Sequence, residues 1–488
     1  MGGIVAVLHK KGEDGTQVAL AMLKTLKTKN AQTYGIASPS KARIGKSLNQ
    51  LQNQRMCSPI LLGYAFSKIM KYDKPQPLTL PDATLVFDGR TFPANEQFGD
   101  TETLGSTLTR NRERSVKKFI QKTDGDFAFT IAEPQRLIAG RDALGVRPLY
   151  YGENKIYAAL ASERKPLWKI GISDTESFPP GCVAIVSVDG FKFTSVRGLA
   201  RSKPKQVSMK TASRRLRNLM KQAVGERCAG LKDVAVAFSG GLDSGIIAYL
   251  AKASGVNVEL VHVSLKDQAE TEYAKKTADE LKLSFHSYTY TEDQVLETLP
   301  TVLYLIEESD PVKAAIGIPF YWAAENAAKM DVKVMLAGQG SDELFAGYRR
   351  YVDDYLQGGS EKAQETIFED IVGMYENNFE RDCKICNFHG VELRLPFAAY
   401  EIAKFAAELP VELKIQPSPS TLRKLVLRQA AREFGLPKAI VDRPKKAVQY
   451  ATGVSKVLDK IARQEHVPLK EYLCRTFQTA LTKMMPVE

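Results

Sequence analysis

The sequence predicts an α/β protein of two successive domains, a sheet-rich one followed by a parallel-sheet one that ends mainly in helices. Three observations carry this expectation. From Gly3 to about Val196, short apolar runs alternate with Gly, Pro and Asp turns, the pattern of strands joined by tight connections. From Val234 onward, strand-like and helix-like stretches alternate, as they do where helices cross over a parallel sheet. Beyond Ala337 the chain reads as mainly helical.

At 488 residues the chain is long enough to bury more than one core. In the first part, residues 60–62, 84–87 and 127–131 read as strands, and residues 18–26 and 102–122 as helices with apolar residues at helical spacing. Apolar periodicity is lost across residues 198–207, Gly-Leu-Ala-Arg-Ser-Lys-Pro-Lys-Gln-Val. This divides the chain into a domain at 1–196, a linker at 197–207 and a domain at 208–488. In the second domain residues 234–238, 258–263 and 332–337 read as strands, and 243–253 and 270–281 as helices. Ligands of such a sheet gather at the carboxyl ends of its strands.

With 44% hydrophobic and 25% charged residues, the composition is that of an ordinary globular protein. The net charge of +12 suits an enzyme that binds polyphosphate as well as it suits a nucleic-acid binder. Lys and Arg are spread along the chain without a reading motif, so no nucleic-acid partner is expected. No stretch reaches the ~18 apolar residues of a membrane span. The apolar run at residues 2–8 is short and wrongly flanked for a secretion signal, and Ala6 breaks the myristoylation pattern, so a cytoplasmic location is expected. Six scattered cysteines point to a reducing compartment, and Cys383 and Cys386 with His389 lack the second half of a zinc site.

Ser239-Gly240-Gly241-Leu242-Asp243-Ser244 falls between the first strand and first helix of the second domain. Two glycines let the backbone close around an anion, hydroxyls flank it, and the amides of a helix N-terminus face bound phosphate. The nearest match to a Walker A loop, Gly45-Lys46-Ser47, has Ser40 where the first glycine belongs. A bare carboxylate at Asp243 would repel pyrophosphate unless Mg²⁺ bridges them. A second cluster, Gly338-Gln339-Gly340-Ser341-Asp342-Glu343-Leu344-Phe345-Ala346-Gly347-Tyr348, follows the strand at 332–337, and its paired carboxylates suit metal ligation or helix capping.

These two loops resemble those of the asparagine synthetases, members of the N-type ATP pyrophosphatases. The resemblance extends to Gly390-Val391-Glu392-Leu393-Arg394-Leu395-Pro396-Phe397 and to Arg443-Pro444-Lys445-Lys446, and so covers nearly the whole second domain. It implies a fold like that of the adenine-nucleotide α-hydrolases and the cofactors ATP and Mg²⁺. It further implies adenylation: a substrate carboxylate attacks the α-phosphorus of ATP, pyrophosphate leaves, and an amine then displaces AMP. By this resemblance Asp243 and Asp342 are metal-side carboxylates, and Ser239, Gly240, Gly241, Ser244 and Gly338 hold ATP and its pyrophosphate. Val263 lines the adenine pocket, and Lys445 steadies the tetrahedral intermediate, with Asp342 and Lys445 as the catalytic pair. Without the resemblance, Arg443, Lys445 and Lys446 read as a solvated basic turn.

The first domain resembles the glutaminase of the same family, an N-terminal-nucleophile αββα sandwich. Gly140-Arg141-Asp142-Ala143-Leu144-Gly145-Val146-Arg147-Pro148-Leu149-Tyr150-Tyr151 carries the likeness, with Gly125-Asp126-Phe127-Ala128-Phe129 and Phe178-Pro179-Pro180-Gly181. A working glutaminase of this type exposes a cysteine at position 2, where this chain has Gly2. Asp88-Gly89-Arg90 stands where the family has Asn-Gly-Glu, and Asp100 remains as a carboxylate for the substrate amine. In the synthetase half, Gln339 replaces a Glu, and Ala315-Ile316-Gly317-Ile318-Pro319 replaces Arg-Ala-Ser-Thr-Pro, with Lys313 as a stand-in cation.

The expected function is ATP-dependent amidation of a carboxylate, aspartate, by ammonia that is free or supplied by a separate protein. A substrate amine in place of ammonia, as in β-lactam synthetases and lasso-peptide cyclases, is the alternative; it needs a larger pocket, and the small Gly317 is compatible with one. A non-catalytic ATP-binding regulator is the third. Small molecules are the expected partners, and a homodimer stays open.

Overall fold

The computed structural model describes residues 2–26, 31–95, 97–416, 418, 422–444 and 448–485, with backbone alone at 448 and 449. The chain forms two compact units. The first comprises Met1–Gly198, Asn387–Glu392 and Leu481–Glu488, and the second Leu199–Cys386 and Leu393–Ala480.

Two antiparallel sheets make the body of the first unit. The strand Gly2–His9 lies inside one sheet, between Tyr157–Ala161 and Ile60–Phe66, and every one of its residues is buried. The reason is that both its faces are covered. Ile4, Ala6 and Leu8 pack on Val86, Ala128 and Ala139 of the other sheet. Val5 and Val7 pack on Ala19, Leu20 and Leu23 of the helix Thr16–Thr25. A strand covered twice reads as a continuous apolar run instead of an alternating one.

The outer face of the second sheet carries the helices Asp100–Thr107 and Arg112–Lys122, whose Leu104, Val116, Phe119 and Ile120 cover Phe87, Phe127 and Phe129. Helix, sheet, sheet and helix thus stack as the αββα sandwich expected. The single helix expected over 102–122 is two. Leu108 turns extended, and Asn111 caps the second helix by accepting from the Arg114 backbone N–H. An Asn that satisfies an orphan N–H starts a new helix more readily than it continues an old one.

The second unit is built on a sheet in which Ser284–Tyr290, Asn257–Leu265, Asp233–Ala237 and Val334–Leu336 pair in parallel in that order. Its core strand has Val234, Ala235 and Val236 fully buried, and the helices Leu242–Ala253 and Ala269–Leu281 complete the crossovers. From Arg350–Met374 to Leu469–Met484 the chain is mainly helical. Among the described residues no helix is long and apolar enough to cross a membrane.

Candidate active site

The glycine-rich loop leaves the strand Asp233–Ala237 at its carboxyl end and enters the helix Leu242–Ala253. Gly240 has φ of +70°, and a Cβ there would come within 2.9 Å of the Ala274 Cα, so only glycine makes this turn. Gly241 is the residue that caps the helix. The hydroxyls brace the loop from within: the Gly241 N–H donates to Ser239 Oγ at 3.3 Å and the Ser239 N–H to Ser244 Oγ at 3.3 Å. The loop so closed leads into a helix N-terminus, where backbone amides offer a place for an anion once the hydroxyls turn aside.

The second loop follows the strand Val334–Leu336 and touches the first. A Cβ at Gly338 would lie 2.9 Å from the Asp243 Cβ, and Ser341 Oγ donates to Asp243 Oδ1 at 2.8 Å. A Cβ at Gly347 would lie 1.9 Å from Asp342 Oδ1, so glycine there makes room for that carboxylate. Asp243 and Asp342 are joined by a residue the sequence did not single out. Lys424 Nζ stands 2.8 Å from both Asp243 oxygens, 2.8 Å from Asp342 Oδ1 and 3.1 Å from Ser341 Oγ. Lys424 precedes the helix Leu425–Phe434 with φ of +59°, and no motif surrounds it.

Beside the loop, Lys424, Arg428 and Arg443 line a small basic recess of about 50 Å³ together with Ser239 and Gly241. Arg443 is not a solvated turn residue: its guanidinium lies 3.5 Å over the Tyr273 ring, pairs with Glu270 and donates to the Ser239 carbonyl at 3.2 Å. Lys445 and Lys446 lie outside the described residues.

Ser239, Asp243, Ser244, Val263, Gly338 and Asp342 all line one cavity of about 550 Å³, a size usual for small-molecule sites. One wall is apolar, with Val261, Pro319 and Phe320 beside Val263. His262 lies on that wall, braced by the Phe238 carbonyl and Thr271 Oγ1, and burial lowers its pKa. The other wall is polar. Glu343 accepts from Tyr348 Oη at 2.6 Å and Asn378 Nδ2 at 2.8 Å, and burial with the neighbouring Asp342 charge raises its pKa.

Gln339 lines the same wall and donates to Asp382 Oδ2 at 2.6 Å, a carboxylate also gripped by Arg381 at 2.7 and 3.0 Å. Lys313 faces the cavity but is paired with Glu308 at 2.8 and 3.0 Å, whereas Ala315 is buried off it. Gly317, compatible with a larger pocket, does not line the cavity: a Cβ there would meet Val302 Cγ1 at 2.8 Å, so its smallness serves helix packing.

Two carboxylates and the Ser341 hydroxyl form an all-oxygen donor set that fits Mg²⁺, which is commonly held by one or two carboxylates plus substrate phosphates. Among the described residues no group of three or more His, Cys, Asp or Glu forms a metal cage, the Cys383 and Cys386 pair included.

In the first unit, Gly2, Asp88, Gly89 and Asp100 form no open site. The Gly2 N–H donates to Asp88 Oδ1 at 2.9 Å, and the Arg147 Nε lies 3.1 Å from the other oxygen of that fully buried carboxylate. A Cβ at position 2 would lie 1.9 Å from the Ala65 carbonyl oxygen and 2.7 Å from the Tyr64 ring. Gly89 has φ of +124°, with the Asp126 carbonyl 1.9 Å from where its Cβ would be. Asp100, expected as a carboxylate for a substrate amine, instead accepts from Thr91 N–H at 2.9 Å, Thr91 Oγ1 at 2.7 Å and Arg90 at 3.1 Å.

The asparagine synthase family matches residues 215–361 and 353–483, and the glutamine amidotransferase domain family matches residues 80–169. The putative asparagine synthetase [glutamine-hydrolyzing] 1 of Methanocaldococcus jannaschii is 31% identical over 392 residues, covering 71% of this chain and 72% of that protein. The asparagine synthetase [glutamine-hydrolyzing] of Triphysaria versicolor is 27% identical over 363 residues, 70% of this chain and 60% of its own. The chain therefore spans about three fifths of that plant relative. A solved glutamine phosphoribosylpyrophosphate amidotransferase from B. subtilis has a TM-score of 0.36 and 14% identity, covering 59% of this chain and 81% of that one, too distant to carry an argument.

Proposed function

The chain belongs to the asparagine synthetase family of ATP-dependent amide ligases, and from that premise we propose that it converts a carboxylate, aspartate, to an acyl-adenylate and amidates it with ammonia. The observation that carries this reading is the meeting of Asp243, Asp342 and Lys424 beside the glycine-rich loop at 239–244, at one end of a cavity of about 550 Å³.

In this reading the adenine lies against Val263 and the pyrophosphate on the amides of Gly240 and Gly241, with the Ser239 and Ser244 hydroxyls turning toward it. Asp243 and Asp342 would hold Mg²⁺, which when bound offsets the negative charge of the phosphates. Lys424 is a point charge on a flexible stem, so it follows the charge that develops on the leaving pyrophosphate. The acceptor carboxylate attacks the α-phosphorus, and its adenylate is then open to a neutral amine. Lys445, by family resemblance, adds a cation at that stage.

Ammonia is the nitrogen source in this reading, because a glutaminase needs a nucleophilic side chain and position 2 admits none. A separate ammonia-supplying protein would be dispensable at saturating ammonium. The alternative, a substrate amine as nucleophile, is favoured by the neutral Gln339 on the polar wall, bonded to Asp382.

Pyrophosphate release from ATP and Mg²⁺ across a panel of carboxylates tests the reading, with ammonium, glutamine or neither. Aspartate with ammonium should stimulate release, and the rate should climb with pH as more ammonia is unprotonated. Release with an amine-bearing carboxylate alone would favour the alternative. Silence with every carboxylate, or glutamine working as well as ammonium, would overturn the proposal.

A further inference from the structure

The sandwich unit contains a second buried acid and base cluster, and its centre is Arg90, on the strand Ala83–Phe92. Its guanidinium takes carboxylates on every nitrogen. NH1 and NH2 grip Asp73 at 2.5 and 2.7 Å, NH1 also reaches Asp100 at 3.1 Å, and Nε reaches Glu392 at 2.9 Å. These side chains are 2% to 6% exposed. Two of the three carboxylates are held further. Asp73 also accepts the Ile69 and Met70 N–H groups at 2.9 and 2.8 Å, and Asp100 takes both groups of Thr91. Burial would raise the Asp73 carboxyl, but its hydrogen bonds to Arg90 and that charge hold it well below the usual carboxylate range.

The space left among these residues is about 20 Å³, room for about one water. Three carboxylates arranged in fixed positions around a flat, fork-shaped donor form a receptor for a guanidinium, and the chain supplies that guanidinium itself. We infer that Arg90 is the built-in occupant of an acidic pocket, and that it closes this pocket to free amines and amino acids. A charged head group entering from solution would have to displace a cation already bonded on all sides. The inference concerns the sandwich unit alone and stands whether or not the ligase reading holds.

Thermal unfolding of the full chain tests this, comparing wild type, Arg90→Ala and Arg90→Lys in methylguanidinium, ammonium or glutamine. Wild type should shift by less than about 1 °C with ammonium or glutamine, since neither enters the Arg90 cluster. Arg90→Ala should lose about 10 °C, because three buried carboxylates lose their counter-ion. Millimolar methylguanidinium should recover about 3 °C or more of that loss, and ammonium at equal concentration clearly less. Arg90→Lys keeps the charge but not the fork, and should fall several degrees below wild type.

Stabilisation of wild type by glutamine would overturn the inference, as would a folded Arg90→Ala protein indifferent to methylguanidinium. If Arg90→Ala is insoluble, the lysine variant decides: stability equal to wild type would sink the idea of a guanidinium receptor.

Discussion

Lys424 and Arg90 are both buried cations set among carboxylates, yet the carboxylates around Lys424 line a cavity of about 550 Å³ and those around Arg90 leave about 20 Å³. Charge alone does not separate them. The ammonium of Lys424 can swing toward an arriving anion, and its partners Asp243 and Asp342 keep 18% and 16% of their side-chain surface open. The guanidinium of Arg90 is flat, with every nitrogen bonded and every partner sealed. A ligand can reach an acid and base cluster only where there is room beside it, and where there is none the cluster is a fastening. Lys414 extends the series to a cation with no carboxylate: it is fully buried, and its Nζ has no hydrogen-bond partner among the described residues.

The largest effect expected is on the open cluster. If Asp243 and Asp342 hold Mg²⁺ as proposed, Asp342→Asn should lower pyrophosphate release by about 10³-fold, because one of the two charged oxygen ligands would be lost where charge develops. A loss under tenfold would break the claim that this cluster is catalytic. Lys424→Met should lower the same rate by about 10²-fold. It should also make the protein more responsive to Mg²⁺ alone, because two carboxylates then lack their ammonium. The thermal shift with MgCl₂ in the absence of ATP measures this, and a response no larger than that of wild type would count against a shared metal and lysine site.

The isolated cation sharpens the comparison through pH. Burial pulls Lys414 down to about 7 from the ordinary lysine value of 10.5. Between these values the unfolded chain binds a proton that the folded chain does not, so stability rises with pH across that window. Below about 7 both states are protonated and the full penalty is present, roughly 3–5 kcal/mol for a shift of this size. Lys414→Met should remove the slope and stabilise the protein near pH 6.5; denaturant titrations at pH 6.5 and 9.5 would read it. Equal pH slopes in the two proteins would show that the amine is not buried as described.

The smallest effect belongs to position 2. Gly2→Cys should create no glutamine-dependent pyrophosphate release. It should destabilise by about 1–3 kcal/mol, because the added Cβ overpacks a sealed strand. Gain of glutamine dependence would show that the sandwich unit opens more readily than its packing implies.

Much of the frame was legible in the sequence because it is local. The glycine loop sits where a buried strand passes into a helix, and Gly240 and Gly241 announce that turn whatever surrounds it. The sheet-rich character of the first domain followed from apolar runs and its αββα sandwich from the family resemblance, whereas the N-cap at Asn111 is a local signal hidden inside a helical pattern. Gly317 shows that a small residue does not say which side needs the space: here it is Val302.

What the sequence by itself determined is therefore the α/β class, the glycine loop between a buried strand and a helix, and the second loop with its carboxylates after another strand. What only the tertiary structure decided is which charges meet. Lys424 reaches Asp243 across 181 residues and Arg90 reaches Glu392 across 302, distances over which propensity and periodicity carry no information. The same is true of the space beside each cluster, because room for a ligand is set by packing among distant segments and not by any residue's own character.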